Sequence, residues 1–263
     1  GQDIMQTNLE IDFHKFLLIL FRCLGFMLIT PVFGRREIPA QAKIGLSALL
    51  SIIVYPFVPE MSLSNDLWIL AATILKEFMT GITMGYASFL LFSSLYLAGE
   101  IIDMEMGFGI VNVLDIQSNT QVPLMGNYFY IITILLFLTV NGHHVLISAI
   151  VKSYEVLPLG EANMLQGSLL QAIIASFKDM FLLGLRIALP VVSVIFFTDL
   201  ALGIIARTVP QMNVFMVGLP VKITVGLISM MMVFTMFFII IDAIYNGTYE
   251  SILKMVKGML ARP

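Results

Sequence analysis

The feature that most constrains this chain is a series of apolar runs long enough to cross a bilayer as helices. The clearest extends from Phe78 to Gly99, 22 residues without an acidic or basic side chain. About 20 helical residues cross the ~30 Å hydrocarbon core of a bilayer. These runs predict an all-α, polytopic membrane protein that forms one domain over residues 1–263. Six hydrophobic segments follow one another at 16–33, 44–58, 67–102, 128–151, 169–206 and 214–245.

Composition excludes the classes of protein that would be surrounded by water. The chain is 59% hydrophobic and only 12% charged, with a mean hydropathy of +0.97, whereas a soluble domain has about half apolar and a quarter charged residues. This balance excludes a disordered chain, a coiled coil and a nucleic-acid-binding domain. Membrane lipid and apolar protein surfaces are therefore the expected surroundings.

Several of the apolar segments carry ionisable groups far from their ends. Arg22 lies in the first segment, Asp199 in the fifth and Lys222 in the last. Each such group costs at least about 2.5–3.5 kcal/mol on insertion scales, unless it faces water or other protein. We therefore predict kinked or re-entrant helical hairpins that partner subunits complete.

Basic residues indicate which loops face the cytoplasm, because Lys and Arg collect there in short loops. The loop 34–43 and the tail after Tyr245 carry three basic residues each, whereas 56–66 and 99–127 are acidic without any. This pattern predicts an external N-terminus and a cytoplasmic C-terminus. Six full crossings would place both termini on one side, so we predict that 67–102 folds back as a hairpin.

The stretch from Gly99 to Asn127 is irregular and half apolar between two hydrophobic segments. Gly107, Gly109 and the polar run 115–121 predict an end to helical structure. Non-helical backbone at membrane depth is tolerated only inside protein or beside a water-filled cavity. Two interpretations stay open: an exposed external loop, or a re-entrant loop that closes a pore.

No motif in the chain predicts catalysis, a cofactor or a metal. His143 and His144 are adjacent, so on a helix they point about 100° apart and cannot chelate one ion together. With Asn141 before them they predict a polar break in a helix. Ser47 follows half of a membrane serine-protease motif, but no glycine-rich continuation follows it. It is interpreted as a small helix-packing residue, as are Gly81 and Gly85 of a GxxxG pair.

The segment 206–226 reads ARTVPQMNVFMVGLPVKITVG and carries a recognisable pattern. An Arg is followed by Pro-Gln, then Asn-x-Phe, then Gly-x-Pro-x-Lys, at Arg207, Pro210, Gln211, Asn213, Phe215, Gly218, Pro220 and Lys222. This segment resembles the FliR family of flagellar export-gate proteins and, more loosely, the SctT-type subunits of virulence type III secretion systems.

Other positions extend the resemblance over residues 9 to 245. They are Arg22, Pro31, Phe33, Gly34, Pro39, Lys43, Gly45, Glu77, Gly81, Gly85, Ala98 to Glu100, Met106 to Gly107, Asn141 to His143, Pro158 to Gly160 and Ala188 to Pro190. One departure is Asp115-Ile116, where many relatives have Asp-Pro. It affects the expected geometry of that loop.

The resemblance implies a subunit that assembles with FliP and FliQ into a helical export gate and contacts FlhB and FlhA. Such a gate lies in the bacterial inner membrane at the flagellar basal body, and unfolded flagellar subunits leave the cytoplasm through it. The loop matching 107–125 would act as the plug of the closed pore.

We therefore expect a non-enzymatic pore subunit without a cofactor. The expected plug residues are Gly107, Phe108, Gly109, Asp115, Pro123 and Met125. The residues expected at subunit contacts or along the aqueous path are Arg22, Glu77, Glu100, Arg186, Asp199, Arg207, Gln211, Asn213 and Lys222. The alternatives are the same subunit of a virulence injectisome, and an intramembrane enzyme or small-solute transporter. A transporter should contain inverted repeats, and no convincing internal repeat is seen.

Overall fold

A computed structural model describes residues 2–59, 66–109, 123–211 and 213–260, without the side chains of 2–12 and 236. The described residues are almost entirely helical and contain no β-strand beyond one isolated bridge, between Ala162 and Leu260. The predicted all-α class is confirmed. The helices are α1 (Gln2–Ile29), α2 (Ala40–Val54), α3 (Leu67–Met106), α4 (Leu124–Thr139), α5 (Gly142–Val156), α6 (Gly167–Thr208) and α7 (Val214–Gly258).

Within the described residues, four helical stretches are long and apolar enough to span a membrane. The pair α4 and α5 would make a fifth if it forms one broken span. The polytopic membrane character is therefore confirmed. The four stretches are Ala40–Phe57, Leu67–Met106, Gly167–Thr208 and Val214–Thr235.

Two helices end where the sequence places a helix-breaking residue. Helix α2 passes into a short 3-10 turn, Tyr55–Phe57, that contains Pro56. Helices α4 and α5 are separated at Asn141, which adopts a left-handed conformation with φ of 59°. Asn tolerates this region better than most residues, so the predicted polar break before His143 is confirmed.

The predicted hairpin within 67–102 is wrong, because α3 is one continuous helix of 40 residues. No proline interrupts it, and its glycines Gly81, Gly85 and Gly99 lie where another backbone comes close. They are packing positions, not turns. At 1.5 Å per residue α3 is about 60 Å long, twice the hydrocarbon thickness.

Two of the long helices contain an internal proline that does not interrupt them. Pro190 lies inside α6, which has 42 residues, and Pro220 lies inside α7, which has 45. Proline removes one backbone donor and can kink a helix, but the apolar runs on both sides continue the helix. Both helices are thus longer than a simple span requires.

The chain divides into two compact units, each assembled from separate stretches of sequence. Unit 1 comprises 1–90, 141–177 and 245–263, and unit 2 comprises 91–140 and 178–244. The core of unit 1 includes the fully buried Leu18, Ile19, Phe26 and Met27, and the core of unit 2 includes Phe92, Leu95, Phe129 and Phe137.

Candidate functional site

A buried ion pair in unit 1 joins the first and third helices. Arg22 of α1 and Glu77 of α3 have no solvent-exposed side-chain surface, and Arg22 Nε lies 2.5 Å from Glu77 Oε2. Removing two charges from water is costly, and only a close, well hydrogen-bonded pair offsets that cost. The structure thus gives each of these predicted residues a partner in its own chain.

Groups at the end of α5 complete the surroundings of this pair. Arg22 Nη1 donates to the Leu157 carbonyl at 3.0 Å, and the guanidinium lies 4.4 Å from the Tyr154 ring centroid. Glu77 Oε1 accepts the Gly160 amide at 2.8 Å. One ion pair therefore fixes three helices and the loop after α5. Sequence reasoning singled out Arg22 and Glu77 but did not identify Tyr154.

A second ion pair, in unit 2, joins the last two helices. Lys222 Nζ of α7 lies 2.7 Å from Asp199 Oδ1 of α6, and the two side chains are 27% and 37% exposed. The pair faces a cavity of about 670 Å³. The cavity is otherwise mainly apolar, and its lining comprises Met104, Glu105, Gly107, Gly109, Asp199, Leu202, Gly203, Val214, Phe215, Gly218, Leu219 and Lys222.

The Pro-Gln segment forms the turn between α6 and α7. Arg207, at the end of α6, and Gln211, in the turn itself, are both exposed. Asn213 directly precedes α7, and its Oδ1 accepts the Met216 amide at 3.3 Å, as the side chain of a helix N-cap residue does. The turn and the ion pair at Lys222 together connect the two helices.

Five of the six expected plug residues lie at the two edges of a segment whose interior, 110–122, is outside the described residues. Asp115 belongs to that interior. Helix α3 ends at Met106 and the chain turns at Gly107, whose φ is +86°, as predicted. On the other side, Pro123 precedes α4 and Met125 is buried in its first turn.

One acidic residue at the base of this segment was not among the predicted site residues. Asp103 is 4% exposed, and its carboxylate accepts the Met125 amide. The sequence contains a signal for this contact. Pro123, just before α4, has a side chain that cannot cap a helix, and Asp103 is an acidic residue in the apolar helix that comes before it.

The remaining predicted charges lie on exposed surfaces. Glu100 is exposed on α3, and Arg186 is exposed close to the middle of α6. Arg186 also lines a cavity of about 200 Å³ together with Ile239 and Ile240 of α7.

Ser47 and the two glycines of the GxxxG pair occupy packing positions. Ser47 is fully buried, and its hydroxyl donates to the Lys43 carbonyl within α2 at 2.8 Å, which fits its interpretation as a packing residue. Gly81 and Gly85 pack against α1, which confirms the interpretation of the GxxxG pair. Among the residues that can be described, no three His, Cys, Asp or Glu side chains are grouped to hold a metal ion.

Comparison with known proteins gives consistent matches along the chain. The sequence profile of "Bacterial export proteins, family 1" matches residues 13–247. "Flagellar biosynthetic protein FliR" of Bacillus subtilis (strain 168) is 34% identical over 249 residues, which are 93% of this chain and 95% of that protein.

Two further relatives with the same name extend the comparison. The FliR of Escherichia coli (strain K12) is 30% identical over 208 residues, 79% of each chain. The FliR of Aquifex aeolicus (strain VF5) is 31% identical over 217 residues, 82% of this chain and 83% of that protein.

Proposed function

We propose that this chain, which belongs to the family of bacterial export proteins, family 1, is a structural pore subunit of the flagellar export gate. Its relatives are named flagellar biosynthetic proteins. In this proposal the gate lies in the inner membrane at the flagellar basal body, and unfolded flagellar subunits cross the membrane through it.

The observation that carries the proposal is an exposed arginine at mid-helix on an apolar surface. Arg186 is exposed close to the middle of the 42-residue α6, and the exposed Leu182 and Leu189 flank it. In lipid this charge would cost at least about 2.5–3.5 kcal/mol. Water or a partner protein is the environment in which such a surface is stable.

Apolar surface elsewhere in unit 2 supports the same conclusion. The exposed side chains of α6 and α7 include Phe196, Phe197, Met231, Met232 and Phe238. Large contiguous apolar surface marks a contact with lipid or protein, and flexible Met side chains suit adaptable protein contacts. We propose FliP and FliQ as the partners on these helices, with FlhB and FlhA as further contacts.

The predicted charged and polar residues then have two kinds of role. Arg22 and Glu77 hold helices of one subunit together. The others are proposed to contact partner subunits or line the aqueous path: Glu100, Arg186, Asp199, Arg207, Gln211, Asn213 and Lys222.

The segment 107–125 is proposed to close the resting pore as a plug. Replacing 110–122 with a short Gly-Ser linker should make cells with an assembled gate leaky to small ions. Unchanged ion permeability at equal gate assembly would contradict the plug. In the proposed orientation the N-terminus is external and the C-terminus cytoplasmic.

The alternative functions are less well supported. The curated relatives carry flagellar names, which favours a flagellar gate over a virulence injectisome. For an intramembrane protease, Ser47 would have to reach a substrate, but its side chain is fully buried and bonded within its own helix.

Co-expression with FliP and FliQ tests the proposal. A tagged chain extracted in mild detergent should purify with both partners, and its native mass should be that of a hetero-oligomer. Arg186→Glu should abolish the complex and Arg186→Lys should largely keep it. The control is Lys178→Glu, another exposed charge on α6. A stable monomer for the unaltered chain would overturn the proposal.

A further inference from the structure

Helix α2 of unit 1 has polar side chains on its buried side and large apolar side chains on its exposed side. Its buried residues are Ser47, Leu50, Ser51 and Val54. None of the exposed residues from 42 to 57 is polar. The larger of them on α2 are between 53% and 61% exposed: Ile44, Leu49, Ile52 and Ile53. Exposure of such side chains to water is unfavourable, so this side of α2 requires an apolar neighbour.

The two buried serines mark the side of α2 that packs against protein. The Ser47 hydroxyl donates to the Lys43 carbonyl at 2.8 Å, and the Ser51 hydroxyl donates to the Ser47 carbonyl at 2.7 Å. Serine is among the small residues that line contacts between membrane helices, and α2 packs against α1. The exposed side is therefore the second, chemically different side of the same helix.

The exposed side of α2 has about the length of the hydrocarbon core of a bilayer. Helix α2 and the 3-10 turn after it extend over Ala40–Phe57, 18 residues, or about 27 Å at 1.5 Å per residue. The hydrocarbon core is ~30 Å thick. No acidic or basic residue lies between Lys43 and Pro59. Acyl chains could thus cover this side without meeting a charge.

The two ends of this apolar stretch carry residues that favour the headgroup regions. The loop before α2 contains Arg36, which is exposed, and basic residues are attracted to anionic headgroups. At the other end the Lys15 ammonium of α1 lies 4.4 Å from the Tyr55 ring centroid. Tyr and Trp are enriched where a membrane meets water. This charge pattern complements a phospholipid bilayer, not an apolar partner helix alone.

The exposed side of α3 in the same unit differs by one charge. Trp68, in the first turn of α3, is 82% exposed, which is typical of a membrane interface. Lys76 is exposed nine residues after Leu67, so in a span that begins at Leu67 it lies about 14 Å deep. A charge at that depth is tolerated against water or protein but is costly in lipid.

We propose that the exposed side of α2 is a lipid-facing surface of the subunit, covered by acyl chains of membrane phospholipids. The basic loop before α2 lies among the headgroups of one leaflet, and Tyr55 lies at the opposite interface. The side of α3 that carries Lys76 faces away from lipid. This assignment goes beyond the proposed function and does not depend on export, because it concerns only unit 1 and the bilayer.

Two leucines form a matched pair for testing this assignment. Leu49 on α2 is 60% exposed and Leu75 on α3 is 61% exposed. Each is eight residues from the outer end of its stretch, Phe57 for Leu49 and Leu67 for Leu75. They therefore have the same residue type, exposure and expected depth. They differ in the side of unit 1 on which they lie.

Quenching by brominated phospholipids tests the contact with acyl chains. The full chain, with the subunits that co-purify with it, carries bimane on Leu49→Cys or Leu75→Cys in vesicles of phosphatidylethanolamine and phosphatidylglycerol. Cys23 is fully buried, so background labelling should be low. Bromine in the acyl chains should quench bimane at 49 at least about twofold more than at 75, since only 49 borders the hydrocarbon core. Equal or weaker quenching at 49 would overturn the inference and indicate that protein covers α2.

The position of the bromine along the acyl chain tests how α2 lies in the bilayer. Leu49 is near the middle of Ala40–Phe57, whereas Ile44 and Phe57 are nearer its ends. Bromine near the chain end should quench Leu49→Cys most, and bromine near the headgroup should quench Ile44→Cys and Phe57→Cys most. The same shallow profile at all three positions would place α2 in the plane of the interface and overturn the inference.

Lysine substitution tests the same difference in cells. Leu49→Lys places a charge among acyl chains and should lower the amount of membrane-inserted chain at least about tenfold. Leu75→Lys, next to Lys76, should lower it less than about twofold. Leu49→Ala removes apolar volume without adding charge and should stay near the level of the unaltered chain. Equal levels of Leu49→Lys and Leu75→Lys would overturn the inference.

Discussion

Gly81 of α3 lies directly against the backbone carbonyl of Arg22 in α1. A Cβ at position 81 would lie 2.1 Å from the Arg22 oxygen, and one at Gly25 would lie 2.3 Å from the Phe78 oxygen. Glu77, one turn before Gly81, pairs with the Arg22 side chain at 2.5 Å. The missing side chains bring the two backbones close enough to shield the ion pair from solvent.

Replacing Gly81 with alanine should therefore destabilise unit 1. The new methyl group overlaps backbone rather than a movable side chain, so α1 and α3 must separate. The expected cost is at least about 2–3 kcal/mol, the upper range for overpacking a core. Thermal unfolding of the full chain in detergent measures it.

Gly45→Ala is the matched control for this substitution. A Cβ there meets no atom within 4 Å, and alanine is a better helix former than glycine by roughly 0.5–1 kcal/mol. The control should unfold at or above the temperature of the unaltered chain. Equal stability of the two variants would contradict the role of the backbone contact.

Removing one partner of the buried ion pair should lower the free energy of unfolding more than removing one partner of an exposed pair. Glu77→Ala leaves Arg22 charged and without its carboxylate, a change that typically costs about 3–5 kcal/mol. The comparison is Glu155→Ala, whose partner Lys152 is exposed and whose loss should cost less than about 1 kcal/mol. Chemical denaturation of both variants measures the difference.

The double variant Arg22→Met with Glu77→Leu extends this comparison. Well-packed apolar residues often replace a buried ion pair without loss of stability, so the double variant should recover at least half of the stability lost in Glu77→Ala. A double variant less stable than the single variant would indicate that the Arg22 contacts with Leu157 and Tyr154 dominate.

The features that could be predicted from the sequence are those set by neighbouring residues. Pro56 ends α2, Asn141 separates α4 from α5, and Gly107 ends α3, because each residue imposes its own backbone preference. The hairpin predicted within 67–102 was wrong because it did not rest on a local preference of this kind. It was inferred from the charges of distant loops, and no residue in that stretch favours a turn.

Contacts between distant residues could not be predicted from spacing. Arg22 and Glu77 are 55 positions apart, and Asp103 and the Met125 amide are 22 apart. Buried charges imply partners, but a single sequence does not say which charge meets which. The partner of Asp103 is a backbone amide. Every residue except proline has one, so the pattern of side chains does not indicate this partner.

Reversing either charge of the Asp199 and Lys222 pair should impair export, and reversing both should restore it. Asp199→Lys alone places two ammonium groups within a few ångströms in a partly shielded site, and Lys222→Asp places two carboxylates there. The exchanged pair regains the attraction in the same geometry. Motility of complemented cells should fall at least about tenfold in each single variant.

The double reversal should recover most of that motility. The pair is only partly buried, so its contribution to stability is modest, about 1 kcal/mol or less for exposed pairs. Normal levels of the single-variant proteins are therefore expected. A double reversal as defective as the single variants would indicate that one of the two charges meets a partner subunit instead.

Cysteine labelling tests the proposed orientation. Cys23 is fully buried, so the unaltered chain should resist a membrane-impermeant maleimide and serves as the background control. The two labelled variants are Glu37→Cys and Pro59→Cys. Glu37 is in the basic loop before α2, Pro59 follows the 3-10 turn at the end of α2, and both positions are exposed.

Because basic loops stay cytoplasmic, Glu37→Cys should react only in inverted vesicles. Pro59→Cys should react in intact spheroplasts, since one span separates the two positions. The opposite pattern would reverse the orientation, and labelling of both positions from one side would show that α2 does not cross the membrane.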